Sequence, residues 1–323
     1  MPAIDPQVQA LLDLIKSLGK PPFEKMSPEQ ARAAYAAGRD FMQLPPEDVA
    51  AVRDVSIAGP GGPLALRVYR GIGTKPDEAL PCMVFLHGGG WVIGDLVSHD
   101  LLCRRIANLA GICVVAVEYR LAPEHPYPAA LDDCVAALQW VAASAQSLTI
   151  DPKRLAIGGD SAGGNLAAVL AIMGRDGTVP RTMYQALIYP VTDLACDTAS
   201  YQRVTSGVPL TAATMYWFID HYAPPGVDRK DWRLSPLRAA SLAGTPPALV
   251  VTVGHDPLCD EGRAYAERLD AEGVRVAALH MNDLLHGAAT QNRQVRASTV
   301  LVNQIGVAIG EALHHGPALP QQG

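Results

Sequence analysis

The spacing of apolar positions along the chain changes near residue 50. Before that point apolar residues recur every three or four positions, which predicts two amphipathic helices within residues 1–45. The first opens at an Asp5-Pro6 capping pair, and the second opens at a capping box from Ser27 to Gln30. Residues 55–58 and 64–69 then alternate between apolar and polar around a glycine-rich turn, which predicts a β-hairpin.

After the hairpin, short continuous apolar runs alternate with segments of helical period. Continuous apolar runs are typical of strands buried on both faces, and their alternation with helices indicates a parallel sheet covered by helices. The runs predict strands at residues 82–86, 112–117, 155–158, 185–189, 248–253 and 274–279. The segments between them predict helices near residues 98–110, 127–147, 161–175, 258–272 and 290–313. The predicted fold class is therefore α/β.

One stretch interrupts this alternation. Residues 195–240 form a long polar and aromatic insertion between two predicted strands. Insertions of this length usually carry function or cover a site. We therefore expect this segment to contribute to the functional site or to lie over it.

Composition narrows the classes of function. The 323 residues are 49% hydrophobic and 18% charged, with a net charge of −6 and no basic run, which argues against a nucleic-acid partner. No apolar stretch approaches the length of about 18 residues that a membrane helix needs, and the beginning of the chain lacks the pattern of a signal peptide. The six cysteines have no C-x-x-C pairing and no metal-ligand spacing. We expect buried reduced thiols, no metal site and a cytoplasmic protein without membrane contacts.

Two glycine-rich segments carry the candidate chemistry, and each follows a predicted strand. They are His87-Gly88-Gly89-Gly90 and Gly159-Asp160-Ser161-Ala162-Gly163-Gly164. The second has the form G-x-S-x-G, in which small neighbours let a strand turn sharply into a helix and expose the serine oxygen. Ser161 would then stand at a helix N-terminus, where unpaired N–H groups favour developing negative charge. A serine that merely caps the helix is the alternative, but the glycine loop upstream favours a nucleophile.

A serine nucleophile needs a base and a carboxylate that orients the base, and in this arrangement they follow in the order acid, then histidine. Asp256 is the best acid, because it lies in the loop just past the strand at 248–253 and sites form beyond the carboxyl ends of strands. Asp260 and Glu261 compete with it. They are expected in the first turn of the following helix, where they would complement the helix dipole.

Two histidines are serious candidates for the base. His286 is followed by a glycine and lies about seven residues past the last predicted strand, so it is expected in a loop that reaches back to Ser161. His280 is closer to the strand end and remains its competitor. His314 and His315 are expected in a solvated C-terminal tail.

The glycines at 88–90 suit a loop whose backbone approaches a substrate oxygen, because side chains there would block the approach. The expected oxyanion donors are the N–H groups of Gly88, Gly89 and Ala162.

Three neighbouring side chains are also candidates for roles at this site. His87 lies within the turn and precedes the nucleophile in the chain, so we expect a structural role for it. Trp91 either lines the acyl pocket or packs the loop, and the sequence favours neither. Trp91 and Asp160 are the candidate substrate-binding residues.

These segments resemble the bacterial hormone-sensitive-lipase-like esterases of the α/β-hydrolase superfamily, over about residues 50–310. The resemblance rests on H-G-G-G-W at 87–91, Y-R-L-A-P-E-H-P-Y-P-A-A at 119–130, G-D-S-A-G-G-N at 159–165 and D-P-L-C-D-E-G at 256–262. The G-D-S-A-G form is that of the branch with aspartate before the nucleophile. The family implies the triad Ser161, Asp256 and His286, which favours His286 over His280. Ala288 is a departure, since relatives often carry an aromatic residue there, and we interpret it as a change in pocket shape.

The resemblance also implies an architecture. It predicts an α/β-hydrolase fold with a mostly parallel eight-stranded sheet whose second strand is antiparallel. Residues 46–194 and 241–316 would form the core, and residues 1–45 and 195–240 would form a helical cap. Residues 317–323 would be a C-terminal tail.

The expected activity is that of a serine carboxylesterase, which hydrolyses small short- to medium-chain acyl esters through an acyl-enzyme and needs no cofactor. An amidase or formamidase would use the same machinery. A ligand-binding protein on a hydrolase scaffold is a different class, and the intact triad argues against it. Relatives often form homodimers through a sheet edge or the last helix, although core packing explains the apolar positions 300, 301, 305 and 309 equally well.

Overall fold

The computed structural model describes residues 3–316. The two N-terminal helices are α1, Pro6–Ser17, and α2, Pro28–Met42. The Asp5 carboxylate accepts hydrogen bonds from the first N–H groups of α1, and Ser27 and Gln30 form the reciprocal capping box of α2. Both helices begin where the capping signals predicted.

Eight strands form one sheet. They are β1 Ala51–Gly59, β2 Gly62–Arg70, β3 Leu80–Leu86, β4 Cys113–Val117, β5 Ile150–Asp160, β6 Tyr184–Ile188, β7 Ala248–His255 and β8 Val276–Leu285. The order across the sheet is β1-β2-β4-β3-β5-β6-β7-β8. Strand β2 is antiparallel to both of its neighbours, and all pairs from β4 to β8 are parallel. The predicted hairpin and the expected eight-stranded sheet with an antiparallel second strand are therefore confirmed.

Helices cover both faces of the sheet. The helices of the core are α3 Asp100–Ala110, α4 Ala129–Ala143, α5 Ala145–Leu148, α6 Ala162–Arg175, α9 Cys259–Ala271 and α10 Arg296–His315. Side chains alternate along β3, so that Met83 and Phe85 pack in the layer with α3 and α10, while Val84 and Leu86 pack in the layer with α4 and α6. Strands β3 and β4 are apolar throughout because both of their faces are buried.

The insertion at residues 195–240 contains short helices joined by loops. It contains α7 Ala199–Arg203, α8 Ala212–Tyr222 and a short 3-10 turn, Pro236–Arg238. Helix α8 contacts the segment between α1 and α2, where the Phe23 and Phe218 ring centroids lie 6.2 Å apart and Thr214 donates a hydrogen bond to Glu24 at 2.8 Å. The insertion and the N-terminal segment thus pack as one layer.

The C-terminal end of the protein differs from expectation at two histidines. His314 and His315 belong to α10, and His314 Nε2 lies 2.9 Å from the carbonyl oxygen of Ala110. The expected tail at 317–323 lies outside the described residues. On α10, Leu301, Ile305 and Ile309 are buried in the core, whereas Val300 is exposed.

All six cysteines are buried and free of disulfide bonds, as the sequence predicted. Between residues 3 and 316 there is no helix of sufficient length and apolarity to cross a membrane.

Candidate active site

Ser161 lies at the junction of β5 and α6. Its backbone has φ +54° and ψ −117°, a conformation that non-glycine residues rarely adopt. The turn closes because its neighbours are small: a Cβ on Gly163 would collide with the backbone of Leu86 on the adjacent strand. Strain of this kind is held by the surrounding structure and is concentrated at functional sites. The turn has the geometry of a nucleophile elbow.

Ser161, His286 and Asp256 lie in hydrogen-bonding order. The Nε2 atom of His286 is 2.9 Å from Ser161 Oγ, and its Nδ1 atom is 2.7 Å from Asp256 Oδ2. Asp256 directly follows β7 and has no solvent exposure. His286 directly follows β8, because that strand continues to Leu285, beyond the strand end predicted near residue 279. The structure therefore brings together the three residues that the sequence selected.

The second oxygen of Asp256 is also occupied. Asp256 Oδ1 accepts a hydrogen bond from the N–H of Leu258 at 2.9 Å, which leaves Oδ2 to face the imidazole. The two competing acids begin α9, as expected. Asp260 pairs with Arg203 at 3.4 Å, while Glu261 is fully buried and accepts hydrogen bonds from the backbone of Thr192 and Asp193.

Glu261 has a larger structural role than complementing a helix dipole. Burial raises the pKa of its carboxyl well above the usual value, although the two backbone N–H groups oppose this shift. It ties α9 to the loop that enters the insertion. Neither Asp260 nor Glu261 contacts the histidine.

His280, the alternative base, is engaged elsewhere. It lies within β8, where its Nδ1 is 2.8 Å from Thr252 Oγ1 and its Nε2 is 2.6 Å from Asn282 Oδ1. Both ring nitrogens thus have partners away from Ser161.

The glycine loop requires one correction. The Gly88 N–H donates to Asp160 Oδ1 at 2.8 Å, so this amide does not face a substrate and the expected oxyanion role of Gly88 is wrong. Within residues 3–316, by contrast, the N–H groups of Gly89, Gly90 and Ala162 have no hydrogen-bond partner. Gly89 has φ +122°, and a Cβ there would collide with the backbone of Ile93. The sequence alone could not show which glycine N–H groups are free. That depends on a hydrogen bond to Asp160, which ends the neighbouring strand β5.

Asp160 itself is committed to holding this loop. Its carboxylate accepts from Gly88 and lies 3.1 Å from His99 Nε2, and only 4% of the residue is exposed. Burial would raise the pKa of Asp160, but His99 and the Gly88 amide outweigh it and keep the pKa below its usual value. The expected substrate-binding role does not fit these contacts, which make Asp160 a positioning residue for the glycine loop.

His87 lies beside this network and has a structural environment, as expected. Its ring stacks on Tyr119 at a centroid distance of 4.2 Å, and its Nδ1 lies 2.8 Å from the Gly88 carbonyl oxygen. Burial, followed by repulsion from His99, lowers the pKa of His87 to about 4.

Trp91 is fully buried. Its ring stacks on Tyr222 of α8 with centroids 4.3 Å apart and planes within 5°. Of the two roles that the sequence left open, packing of the loop accounts for this position. Next to it, a Cβ on Gly90 would collide with the Phe218 ring, so α8 lies directly against the glycine loop.

Comparison with known proteins gives the family. A family model described as alpha/beta hydrolase fold matches residues 83–290, which is more than half of the chain. The chain is 45% identical to carboxylic ester hydrolase LipN of Mycobacterium tuberculosis, over 73% of this chain and 64% of that protein. It is 39% identical to ethyl acetate hydrolase of Pseudomonas putida, over 85% of this chain and 88% of that protein. The chain belongs to the hormone-sensitive-lipase-like α/β-hydrolase family.

A solved structure agrees with this assignment over nearly the whole hydrolase. A serine-to-alanine mutant of LAE6, an α/β-hydrolase enzyme from the metagenome of Lake Arreo, Spain, superposes with a TM-score of 0.92 at 38% identity. The match covers 95% of this chain and 98% of that chain. The fold class expected from the sequence is thereby confirmed.

Tyr189 is a residue of the hydrolase site that the sequence did not indicate. It follows β6 with φ +35°, and its ring centroid lies 4.6 Å from that of His286. Its buried hydroxyl accepts a hydrogen bond from the N–H of Ala289 at 3.3 Å. The ring therefore packs against one side of the imidazole, and the hydroxyl fixes the loop that follows His286. In sequence it is simply the last residue of a predicted strand.

From residue 3 to residue 316, no three His, Cys, Asp or Glu side chains are arranged so that they could hold a metal ion.

Proposed function

We propose that this hydrolase is a serine carboxylesterase in which Ser161 is the nucleophile, His286 the general base and Asp256 the residue that orients the base. The observation that carries the proposal is the position of the imidazole, with Nε2 2.9 Å from Ser161 Oγ and Nδ1 2.7 Å from Asp256 Oδ2. The names of the relatives, a carboxylic ester hydrolase and an ethyl acetate hydrolase, support the same reaction.

The hydrogen bonds of the imidazole suit His286 for the role of general base. With Nδ1–H donating to the Asp256 carboxylate, Nε2 is left as an acceptor for the Ser161 hydroxyl proton. As Ser161 Oγ attacks the ester carbonyl, the proton moves to Nε2, and Asp256 stabilises the resulting imidazolium. His286 then protonates the leaving alcohol. Water repeats the sequence on the acyl-enzyme and releases the acid.

For the oxyanion we propose the N–H groups of Gly89, Gly90 and Ala162. Support comes from the lack of partners for these three amides among the described residues and from the commitment of Gly88 to Asp160. Ala162 adds the positive end of the α6 dipole. Donors that are fixed before the reaction stabilise the developing charge without reorganisation.

We propose that residues 1–45 and 195–240 form a cap that limits the acyl chain to short and medium lengths, while residues 46–194 and 241–316 form the catalytic core. Ser161 is only 6% exposed. Helix α8 lies against Gly90 through Phe218, and Phe218 in turn contacts Phe23 of the N-terminal segment. The small substrate in the name of the Pseudomonas putida relative is consistent with a restricted pocket.

The cysteines, the last helix and the nucleophile motif support three further proposals. Six buried, unpaired cysteines suit a cytoplasmic protein, because thiols stay reduced in that compartment. Val300 and Val307, which are exposed on α10 seven residues apart, support a homodimer. The G-D-S-A-G motif at 159–163 supports assignment to the branch with aspartate before the nucleophile.

The test is hydrolysis of p-nitrophenyl esters from acetate to palmitate by the wild type and Ser161→Ala. We expect turnover to peak at butyrate or hexanoate and to disappear in the variant, whose thermal unfolding should match the wild type. A p-nitroanilide of the best acyl group separates an esterase from an amidase. Turnover of palmitate equal to that of butyrate would refute the restricted pocket, and unchanged turnover in Ser161→Ala would refute the mechanism.

A further inference from the structure

Helix α2 is fixed to both loops that supply the catalytic groups. Near its start, the Arg32 guanidinium donates to the carbonyl oxygen of Val92 at 2.8 Å, just beyond the glycine loop. At its end, the carbonyl oxygen of Met42 accepts from the Arg293 N–H at 3.1 Å, in the segment that follows His286. The middle of the helix therefore lies between the glycine loop and the histidine loop.

One face of α2 points into the protein. Ala31 has no solvent exposure. Tyr35, Gly38 and Met42 follow it at the spacing of a helix and share its side. Tyr35 and Met42 pack against the two layers of the core, whereas Ala37 is exposed. The residues between the two fixed ends of this face are therefore Tyr35 and Gly38.

Gly38 leaves a gap in the middle of this face. A Cβ at Gly38 would meet no atom within 4 Å outside its own stretch of helix. Glycines that permit tight packing differ, since a Cβ on Gly90 or Gly163 would collide with a neighbour. Because α2 is fixed on both sides of Gly38, the empty space lies beneath the helix, where it offers room for a substrate group.

Tyr35 brings a hydroxyl group to this space. Burial raises the pKa of Tyr35, and the carboxylate of Asp160, which precedes Ser161, raises it further. After burial and Asp160, Tyr35 is a further cause that raises the pKa of Tyr189, whose ring packs against that of His286. The Tyr35 hydroxyl therefore lies on the side of α2 that faces the catalytic centre.

This hydroxyl has no hydrogen-bond partner within residues 3–316, and it remains open to solvent. The hydroxyls of Tyr222 and Tyr265 also lack partners in that range, but they are sealed from solvent. An alkyl chain that covered the Tyr35 O–H would remove its bond to water and replace it with nothing, which costs binding free energy. An oxygen atom of the ligand at this point would accept the hydrogen bond instead.

We propose that Tyr35 donates a hydrogen bond to the substrate and that the space at Gly38 holds the adjoining part of the substrate. The preferred substrates are then esters with a second oxygen atom, an ether or a hydroxyl, in the acyl or the alcohol part. This inference rests on the function proposed above, because it takes the space beneath α2 as part of the ester site.

The experiment uses pairs of esters in which oxygen replaces one CH2 group. The acyl pair is p-nitrophenyl methoxyacetate and p-nitrophenyl butyrate, and the alcohol pair is 2-methoxyethyl butyrate and butyl butyrate. The ratio of kcat/KM within each pair is measured for the wild type and Tyr35→Phe, so that the intrinsic reactivities of the esters cancel. We expect the ratio of at least one pair to fall roughly 3- to 10-fold in Tyr35→Phe, the loss of one neutral hydrogen bond.

The matched control is Tyr216→Phe in α8. Tyr216 also lacks a hydrogen-bond partner among residues 3–316, but it is 46% exposed and lies on the side of the helix opposite Phe218, which contacts the glycine loop. It should leave both ratios unchanged. Unchanged ratios in Tyr35→Phe, or an equal fall in Tyr216→Phe, would overturn the contact.

Gly38→Leu tests the space beneath the helix. Leucine suits a helix better than glycine, so the variant should fold. It should lower kcat/KM for butyl butyrate at least tenfold more than for ethyl acetate, whereas Ala37→Leu on the exposed side should not. Equal effects of Gly38→Leu on the two esters would show that the space is not part of the pocket.

Binding separates this inference from the proposed function. Calorimetric titration of 2-methoxyethyl methoxyacetate, which carries an ether oxygen on both sides, compares Ser161→Ala with Ser161→Ala/Tyr35→Phe. We expect at least threefold weaker binding to the double variant. Absence of hydrolysis by the wild type would refute the proposed function, whereas equal affinity of the two variants would refute the Tyr35 contact.

Discussion

Asp256→Asn is the sharpest test of the triad, because the structure fixes how the new amide must lie. Asp256 Oδ1 accepts from the Leu258 N–H at 2.9 Å, so the asparagine oxygen must take that place. The amide nitrogen then faces His286 Nδ1, where Asp256 Oδ2 now lies at 2.7 Å. An N–H donor at this point requires Nδ1 to be an acceptor, which moves the imidazole proton to Nε2.

The displaced proton removes the base. His286 Nε2 lies 2.9 Å from Ser161 Oγ, and once it carries a proton it cannot accept the one from the serine. The same substitution in a serine-protease triad lowers kcat by about 10⁴, a loss of about 5 kcal/mol of transition-state stabilisation. We expect a loss of this size in kcat for p-nitrophenyl butyrate, with little change in KM, since no substrate contact is altered.

The control is Asp260→Asn, which removes a carboxylate four residues along the chain that pairs with Arg203. It should retain near-wild-type kcat. Circular dichroism and thermal unfolding would verify that both variants fold. Retention of more than about one hundredth of the wild-type kcat by folded Asp256→Asn would refute the tautomer argument, because that argument requires about 10⁴. An equal loss in Asp260→Asn would refute the assignment of the acid.

Three further predictions concern the support of the site. Asp160→Ala removes the charged acceptor of the Gly88 N–H, a bond worth about 1.5–3 kcal/mol, so kcat should fall roughly 10- to 100-fold with KM unchanged, while Asp160→Asn, which keeps an oxygen there, should recover most of it. The pKa of His87 is lowered from 6.5 to about 4, so the stability due to its neutral form is present above pH 6.5 and lost as pH falls towards 4. Chemical denaturation should show this slope, about 3 kcal/mol in all, in the wild type and not in His87→Gln. Arg32→Ala removes hydrogen bonds that tie α2 to the Val92 and Ala122 carbonyls and should cost about 1–3 kcal/mol of unfolding free energy, whereas Arg39→Ala, which pairs with its exposed neighbour, should cost less than about 0.5.

The order of the strands and helices could be predicted from the sequence because it rests on local signals. The capping residues at the starts of α1 and α2 act within one turn, and the apolar runs identify strands that are buried on both faces. The ends of strands were harder to predict. Strand β8 continues to Leu285 through residues 280–283, three of which are polar, because pairing with β7 holds an edge strand that needs only partial burial. That extension is what places His286 at the end of a strand.

Some residues of the site could also be identified from local sequence, while others depend on contacts with distant parts of the chain. Ser161 and Asp256 could be selected locally, since each follows an apolar strand. For the base, the loop position favoured His286 over His280, and the family resemblance strengthened that choice. The burial of Trp91 depends on Tyr222, and the place of Tyr189 depends on His286, both of which are far away in the sequence. No local pattern contains such contacts.

The role of Gly88 shows why the two glycine-rich segments belong together. Strands β3 and β5 are parallel neighbours, and their register pairs Leu86 with Gly159. The residues that follow, His87-Gly88 on one strand and Asp160-Ser161 on the other, must therefore leave the sheet side by side, which lets Asp160 hold the Gly88 N–H. The parallel register fixes only which residues of β3 and β5 lie side by side. The length of the chain between the two glycine-rich segments is therefore free to vary. A one-residue deletion between Leu86 and Gly88 would break the hydrogen bond from Gly88 to Asp160 and shift the free amides away from Ser161. What the site requires of the glycine loop is therefore its position relative to the end of β3, and not its distance from Ser161 along the sequence.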